Sequence, residues 1–185
     1  MDATLTLDRI VGQRVWAVIP HPVDRMPVLA SATFDGIWES AEMIASCRTA
    51  DHAGRRIPVF DCTCGVYAGM ERVSPEYRRV WAQGPVELWG RVIEGVTGYR
   101  AEHARIGGDL EVMIGMGPGF PRCTTPGCRE IGEGIWVGGA SFLARCRPHA
   151  PEGLVQFGDF AALIDRSFRG RYGVRASLRG RVATQ

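Results

Sequence analysis

Cys123-Thr-Thr-Pro-Gly-Cys128, followed after seventeen residues by Cys146-Arg-Pro-His149, is the stretch whose spacing is hardest to explain without a metal ion. Two thiols close together on one turn, then a Cys and a His three positions apart on a second, supply the four ligands of a tetrahedral zinc ion. Such an ion would tie two loops into one small fold. Pro126 and Gly127 favour a tight turn that aims both sulfurs at one centre. Between the ligand pairs, residues 135–144 predict two short strands joined at Gly138-Gly139, a hairpin closed by metal. The alternative is ordinary buried thiols and a surface histidine, but nothing in the composition explains their regular clustering.

A second set lies upstream. Cys47 and His52 precede Cys62-Thr-Cys64-Gly65, and a Cys-x-Cys pair backed by glycine is a tight knuckle that can present two sulfurs to one ion. The competing reading makes Cys47 part of a helix face, with Cys62 and Cys64 in an inert turn. Two sites of three cysteines and one histidine would use all six cysteines and leave over only His21 and His103. The sequence thus predicts one zinc ion at Cys123, Cys128, Cys146 and His149, and a second at Cys47, His52, Cys62 and Cys64.

The Cys-x-x-Pro-Gly-Cys and Cys-x-x-His pair resembles a small zinc-finger motif that recurs in proteins of actinobacteria and their phages. That resemblance implies structural zinc rather than an activity. Over residues 14–112, Cys-x-Cys-Gly-Val-Tyr-Ala, Leu-Trp-Gly-Arg-Val-Ile and Gly-Tyr-Arg-Ala-Glu are similar, in this order, to a family of small uncharacterised bacterial proteins frequent in actinobacteria. This second resemblance implies a domain and no agreed activity.

A chain of 185 residues with 45% hydrophobic and 23% charged side chains belongs with globular proteins able to bury a core. No apolar run approaches the ~20 residues that cross a bilayer, and the N-terminus lacks a signal-peptide pattern, so no membrane partner and a cytoplasmic location are expected. Reducing conditions there favour metal ligation over disulfides. All 22 basic residues are arginine, a bias that a GC-rich genome produces by itself. Residues 1–165 carry 16 of them against all 20 acids, a net of −4, while residues 166–185 carry six and no acid.

Hydrophobic patterning predicts an α+β fold: a small, mostly antiparallel β body with short helices, and a zinc-bound hairpin near the C-terminus. Buried strands are expected at 14–19 and 27–33. Helices are expected at 37–47, where Ile37, Ala41, Ile44 and Ala45 share one side, and from Ser74 through Tyr77 and Trp81 to Gly84. Residues 86–94 and 99–106 read as a hairpin through 95–98, and 110–116 as a third strand, with the glycines of 115–119 as a hinge. Phe160, Leu163, Ile164 and Phe168 mark a C-terminal amphipathic helix. The implied organisation is a body at 1–117, a finger at 118–151, the helix at 152–168, and an Arg/Gly tail at 169–185, disordered when alone.

Zinc-deaminase, metalloprotease, serine-hydrolase and dinucleotide motifs are all missing. Glu102 with His103, and Arg100 with Glu94, could be drawn as acid, base and anion clamp, but cross-strand charge pairs are the commoner use of such residues. The leading expectation is a zinc-stabilised protein binding the backbone of DNA or RNA. Its contacts would be Arg91, Arg100, Arg105, Arg169, Arg171, Arg175, Arg179 and Arg181, with Arg55 and Arg56 as further candidates on the body. Trp89 or Tyr99 would stack on bases. The alternative is a protein-binding adaptor with structural zinc, which a slightly acidic body favours. A small-substrate enzyme comes third. The sequence gives no oligomeric state.

Overall fold

The computed structural model describes residues 9–32, 36–47, 52, 55–72, 80–115, 121–150 and 152–179. The fold is mostly β, with two sheets and, among the described residues, one α-helix. The elements in order are β1 (Ile10–Pro20), β2 (Pro27–Ser31), β3 (Glu42–Ile44), β4 (Val66–Gly69), β5 (Val80–Glu94), β6 (Gly98–Ile106) and β7 (Leu110–Ile114). There follow β8 (Gly134–Gly138), β9 (Ser141–Arg145), β10 (Val155–Gln156), α1 (Phe157–Tyr172) and β11 (Ala176–Arg179).

Strand β5 organises the larger sheet. It pairs with β1 from Trp81 to Leu88, with β7 from Val80 to Gln83 and with β6 from Val86 onward. Strand β6 pairs with β4, and β4 returns to β1 through Gln13 and Gly69, so β1, β5, β6 and β4 close on themselves as a small barrel. Two glycines permit this closure. A side chain at Gly98 would collide with the Ala68 carbonyl oxygen where β6 crosses β4. Gly90 takes φ +78 where the β5–β6 register shifts, a bulge that bends β5 around the barrel.

Trp16, Leu29, Trp38, Val86 and Leu88 fill the interior. Helix α1 adds Phe160, Ile164 and Phe168 to the same cluster, and Ile135 and Phe142 join it from β8 and β9. Each such side chain contributes roughly 1.5–3 kcal/mol on burial. The rings of Phe142 and Phe160 lie 4.9 Å apart, so the finger hairpin shares its core with the helix and the barrel.

Three sequence expectations are corrected. Residues 42–44 form a strand on the edge of β6, not a helix: Ala41, Met43 and Ala45 pack on the core while Ile44 is 68% exposed, a period of two. The helix expected to end at Gly84 is replaced from Val80 by β5. There both faces are covered, and an unbroken apolar run mimics a helix. Its start at 74–79 lies outside the described residues. The tail is ordered as far as Arg179, because α1 runs on to Tyr172 and β11 then pairs in parallel with β7. The Asp165 carboxylate accepts the Ala176 N–H at 3.0 Å and the Asp109 carboxylate accepts the Arg175 N–H at 3.1 Å, which fixes the register. Arg181 and the glycine hinge at 116–119 lie outside the described residues. No helix among the described residues is long and apolar enough to cross a membrane.

Candidate metal centres

The finger ligands hang from the two ends of one hairpin. Cys123 and Cys128 occupy the turn before β8, where the Cys123 N–H donates to the Glu130 carbonyl and the Cys128 N–H to that of Thr125, at 2.9 and 3.0 Å. Thr124 bonds across to the Ala144 carbonyl of β9 at 2.9 Å, which brings the turn over the far strand. Cys146 follows β9 directly, and a 3-10 turn at Arg147–His149 swings the imidazole back. Cys146 Sγ lies 3.2 Å and Cys123 Sγ 3.5 Å from His149 Nδ1, and the Cys128 and Cys146 sulfurs are 3.9 Å apart.

The upstream knuckle draws on two segments, the end of β3 and the run into β4. Cys47 follows β3, and Cys62 and Cys64 precede β4. Cys47 Sγ is 3.4 Å from His52 Nδ1 and 3.8 Å from Cys62 Sγ, while Cys64 Sγ accepts the Val59 N–H at 3.2 Å. Arg100 reaches over from β6 and donates to the carbonyls of Phe60, Cys62 and Cys64.

In each cluster the four ligand atoms lie within 4.8 Å of one another. A tetrahedral ion with bonds of about 2.3 Å to sulfur and about 2.0 Å to nitrogen requires ligands about 3.8 Å (S to S) and about 3.5 Å (S to N) apart. Both clusters match, so both could hold a metal ion. The thiols show why a cation suits them. Desolvation and the neighbouring Cys123 and Cys128 push Cys146 up to about 11. Desolvation also opposes ionisation of Cys123, but the Thr125 hydroxyl and Cys146 outweigh it and bring Cys123 down to about 5. Cys64 is raised, chiefly by desolvation. Crowded sulfurs resist ionising together, and a divalent ion removes that conflict.

No family model, no curated protein and no solved structure matches the chain.

The arginines read as phosphate contacts are largely engaged within the molecule. Arg169 pairs with Asp165, Arg171 with Asp24 and Glu39, and Arg179 with Glu111. Arg56 pairs with Glu102, Arg91 donates to the Arg56 carbonyl, and Arg100 holds the knuckle. Arg55, Arg105 and Arg175 have no ion pair among the described residues. Trp89 is sandwiched between His103, stacked at 5.5 Å, and the Arg9 guanidinium at 5.0 Å.

The Glu102 and His103 pair is likewise engaged. Desolvation raises the Glu102 carboxyl, but the Arg91 N–H and the Arg56 guanidinium outweigh it and hold it below the usual carboxylate range. That is the wrong direction for a general acid at neutral pH.

Two features went unread in the sequence. One is a groove of about 660 Å³ between β4 and the β5–β6 turn, lined by Phe60, Tyr67, Val96 and Tyr99, with Arg14 and Arg100 offset by Glu71 and Glu94. Its walls come from segments far apart in the chain, and no local pattern marks it. The other is Arg14, whose signal was available: strand alternation places it on the side of Trp16 and Val18, where a charge is out of place.

Proposed function

We propose that the chain is a non-catalytic, protein-binding adaptor held in shape by two zinc ions. Three thiols and one imidazole in a tetrahedral set suit zinc better than harder cations, and four protein ligands leave no open position for chemistry. The observation that carries the binding role is the groove beside the β5–β6 turn. Phe60 is 79% and Val96 98% exposed there, and the lining charges balance, a composition suited to a protein surface rather than a polyanion.

A second reading, single-stranded nucleic acid in the same groove, is favoured by the alignment of Phe60, Tyr67 and Tyr99 beside Arg100. One experiment separates the two: a photo-crosslinking amino acid at Phe60 or Val96 in the full-length, zinc-loaded protein, exposed to host-cell extract. The adaptor reading expects a discrete adduct that protease destroys and nuclease leaves intact. An adduct sensitive to nuclease, together with filter retention of DNA or RNA that falls steeply with salt, would replace it with the nucleic-acid reading. Metal analysis should give two zinc ions per chain, and a metal-free folded protein would reject the scaffold itself.

A further inference from the structure

Arg14 carries a charge into the inward register of β1. Its guanidinium lies 5.9 Å from the ring centre of Trp16 and 5.4 Å from that of Trp38, and the two indoles meet edge to face at 5.5 Å. Nη1 donates to the Tyr67 carbonyl and Nη2 to the Ser31 hydroxyl at 3.1 Å. The Arg14 Nε–H is buried without a partner among the described residues, and so are the indole N–H groups of Trp16 and Trp38. Three side chains in mutual contact therefore hold three orphaned donors, while the orphaned acceptor next in sequence, Gln13 Oε1, bonds none of them.

Buried donors are nearly always satisfied in folded proteins. The guanidinium also lacks a countercharge: no carboxylate forms an ion pair with it among the described residues, and desolvation brings its pKa down to about 10. Arg14 and Trp38 open onto a cavity of about 240 Å³ that also presents the hydroxyls of Ser31, Ser46 and Thr63, with no Asp or Glu in its lining. Cys47, Cys62 and Cys64 form part of the same wall. With a divalent ion they would carry net negative charge, yet none of their sulfurs accepts a bond from the three orphaned donors.

We propose that this cavity binds a small oxyanion, a carboxylate or a phosphate, with Arg14 as its principal ligand and the hydroxyls of Ser31, Ser46 and Thr63 completing the shell. A planar guanidinium presents paired N–H groups that match two oxygens of one such group. Arg14 and Tyr67 also line the groove, so the cavity adjoins it, but the oxyanion site needs no occupant there.

The test uses full-length, zinc-loaded, isotope-labelled protein titrated separately with inorganic phosphate, with acetate, and with chloride at equal ionic strength, while the Arg14 Nε–H and the Trp16 and Trp38 indole N–H resonances are followed. The expected result is a saturable shift of the Arg14 and Trp38 resonances, the two that belong to lining residues, with phosphate or with acetate, and none with chloride. Whichever anion acts identifies the source chemistry. Arg14→Gln should weaken that binding roughly tenfold or more, the factor that accompanies loss of a charge-assisted pair. No saturable shift with either oxyanion, an equal response to chloride, or unchanged affinity in Arg14→Gln would overturn the assignment. Should that variant fail to fold, the titration of the unsubstituted protein decides alone.

Discussion

In the finger, all four ligands sit at the ends of one hairpin, and backbone hydrogen bonds from Cys123, Thr124, Cys128 and His149 already hold them in place. In the knuckle, the ligands span Cys47 to Cys64, and beyond one backbone bond, Cys62 N–H to the Val59 carbonyl at 3.2 Å, the turn carrying Cys62 and Cys64 is held by side chains, Tyr67 on the Thr63 carbonyl and Arg100 on those of Phe60, Cys62 and Cys64. The ligand types are the same, but the finger is organised locally and the knuckle by tertiary contact. An ion in the finger would tie the turn before β8 to the end of β9, whereas one in the knuckle would fasten the end of β3 to the run that enters β4 of the barrel. Preorganisation should therefore make the finger the tighter site.

Metal removal puts most at stake, because structural zinc in finger peptides is worth about 10–16 kcal/mol of apparent binding free energy. Cys146→Ser is expected to lower zinc content from two ions per chain to one and to disorder β8 and β9, visible as loss of amide dispersion around Trp136. Cys64→Ser should also leave one ion, with the finger intact. If a graded chelator empties the finger before the knuckle, the proposed order of affinities is wrong.

Next in size is the packing that ties the finger to the barrel. Phe160 is buried with its ring 4.9 Å from that of Phe142, and Phe160→Ala should cost about 3–5 kcal/mol in a denaturant titration. Its loss should loosen the finger through Phe142 more than it loosens the knuckle, which hydrogen exchange would resolve. Smaller again is Tyr172→Phe. The Tyr172 hydroxyl donates to the Trp38 carbonyl and accepts the Leu29 N–H, both at 2.9 Å, and burial pushes its pKa up to about 12. Removing it strands a buried N–H and should cost about 1–3 kcal/mol in the same assay.

The smallest effect concerns pH. The Ala176 N–H, then Arg169, hold the Asp165 carboxyl below its ordinary value. Its stabilisation is complete above the unfolded-chain value and disappears as pH falls through the lower folded one. Amide exchange in β11 should accordingly accelerate only in acid, and Asp165→Asn should remove that pH dependence.

The two Cys/His clusters were legible because a shared ion would impose such spacing: Cys123, Cys128, Cys146 and His149 come together as one tetrahedron would require, and the hairpin between them follows from alternation. The same held for the β5–β6 hairpin and the apolar face of α1, where local period and burial agree. Legibility failed where a distant partner decides. Ile37 to Cys47 satisfies a helical stripe as well as a strand, and only the open edge of β6 selects β3. Val80 to Gln83 is buried on both faces, which removes the alternation that would mark a strand, and the pairing with β1 and β7 that makes it one is not local. The arginines of the tail looked free because Glu39, Asp24 and Glu111, which receive them, lie far back in the sequence.

The parallel pairing of β7 with β11 has a consequence for biosynthesis. The outer edge of β7 stays bare until the finger and α1 have been made and residues 176–179 have emerged from the ribosome. During that interval the nascent chain exposes a strand edge that invites pairing with other molecules.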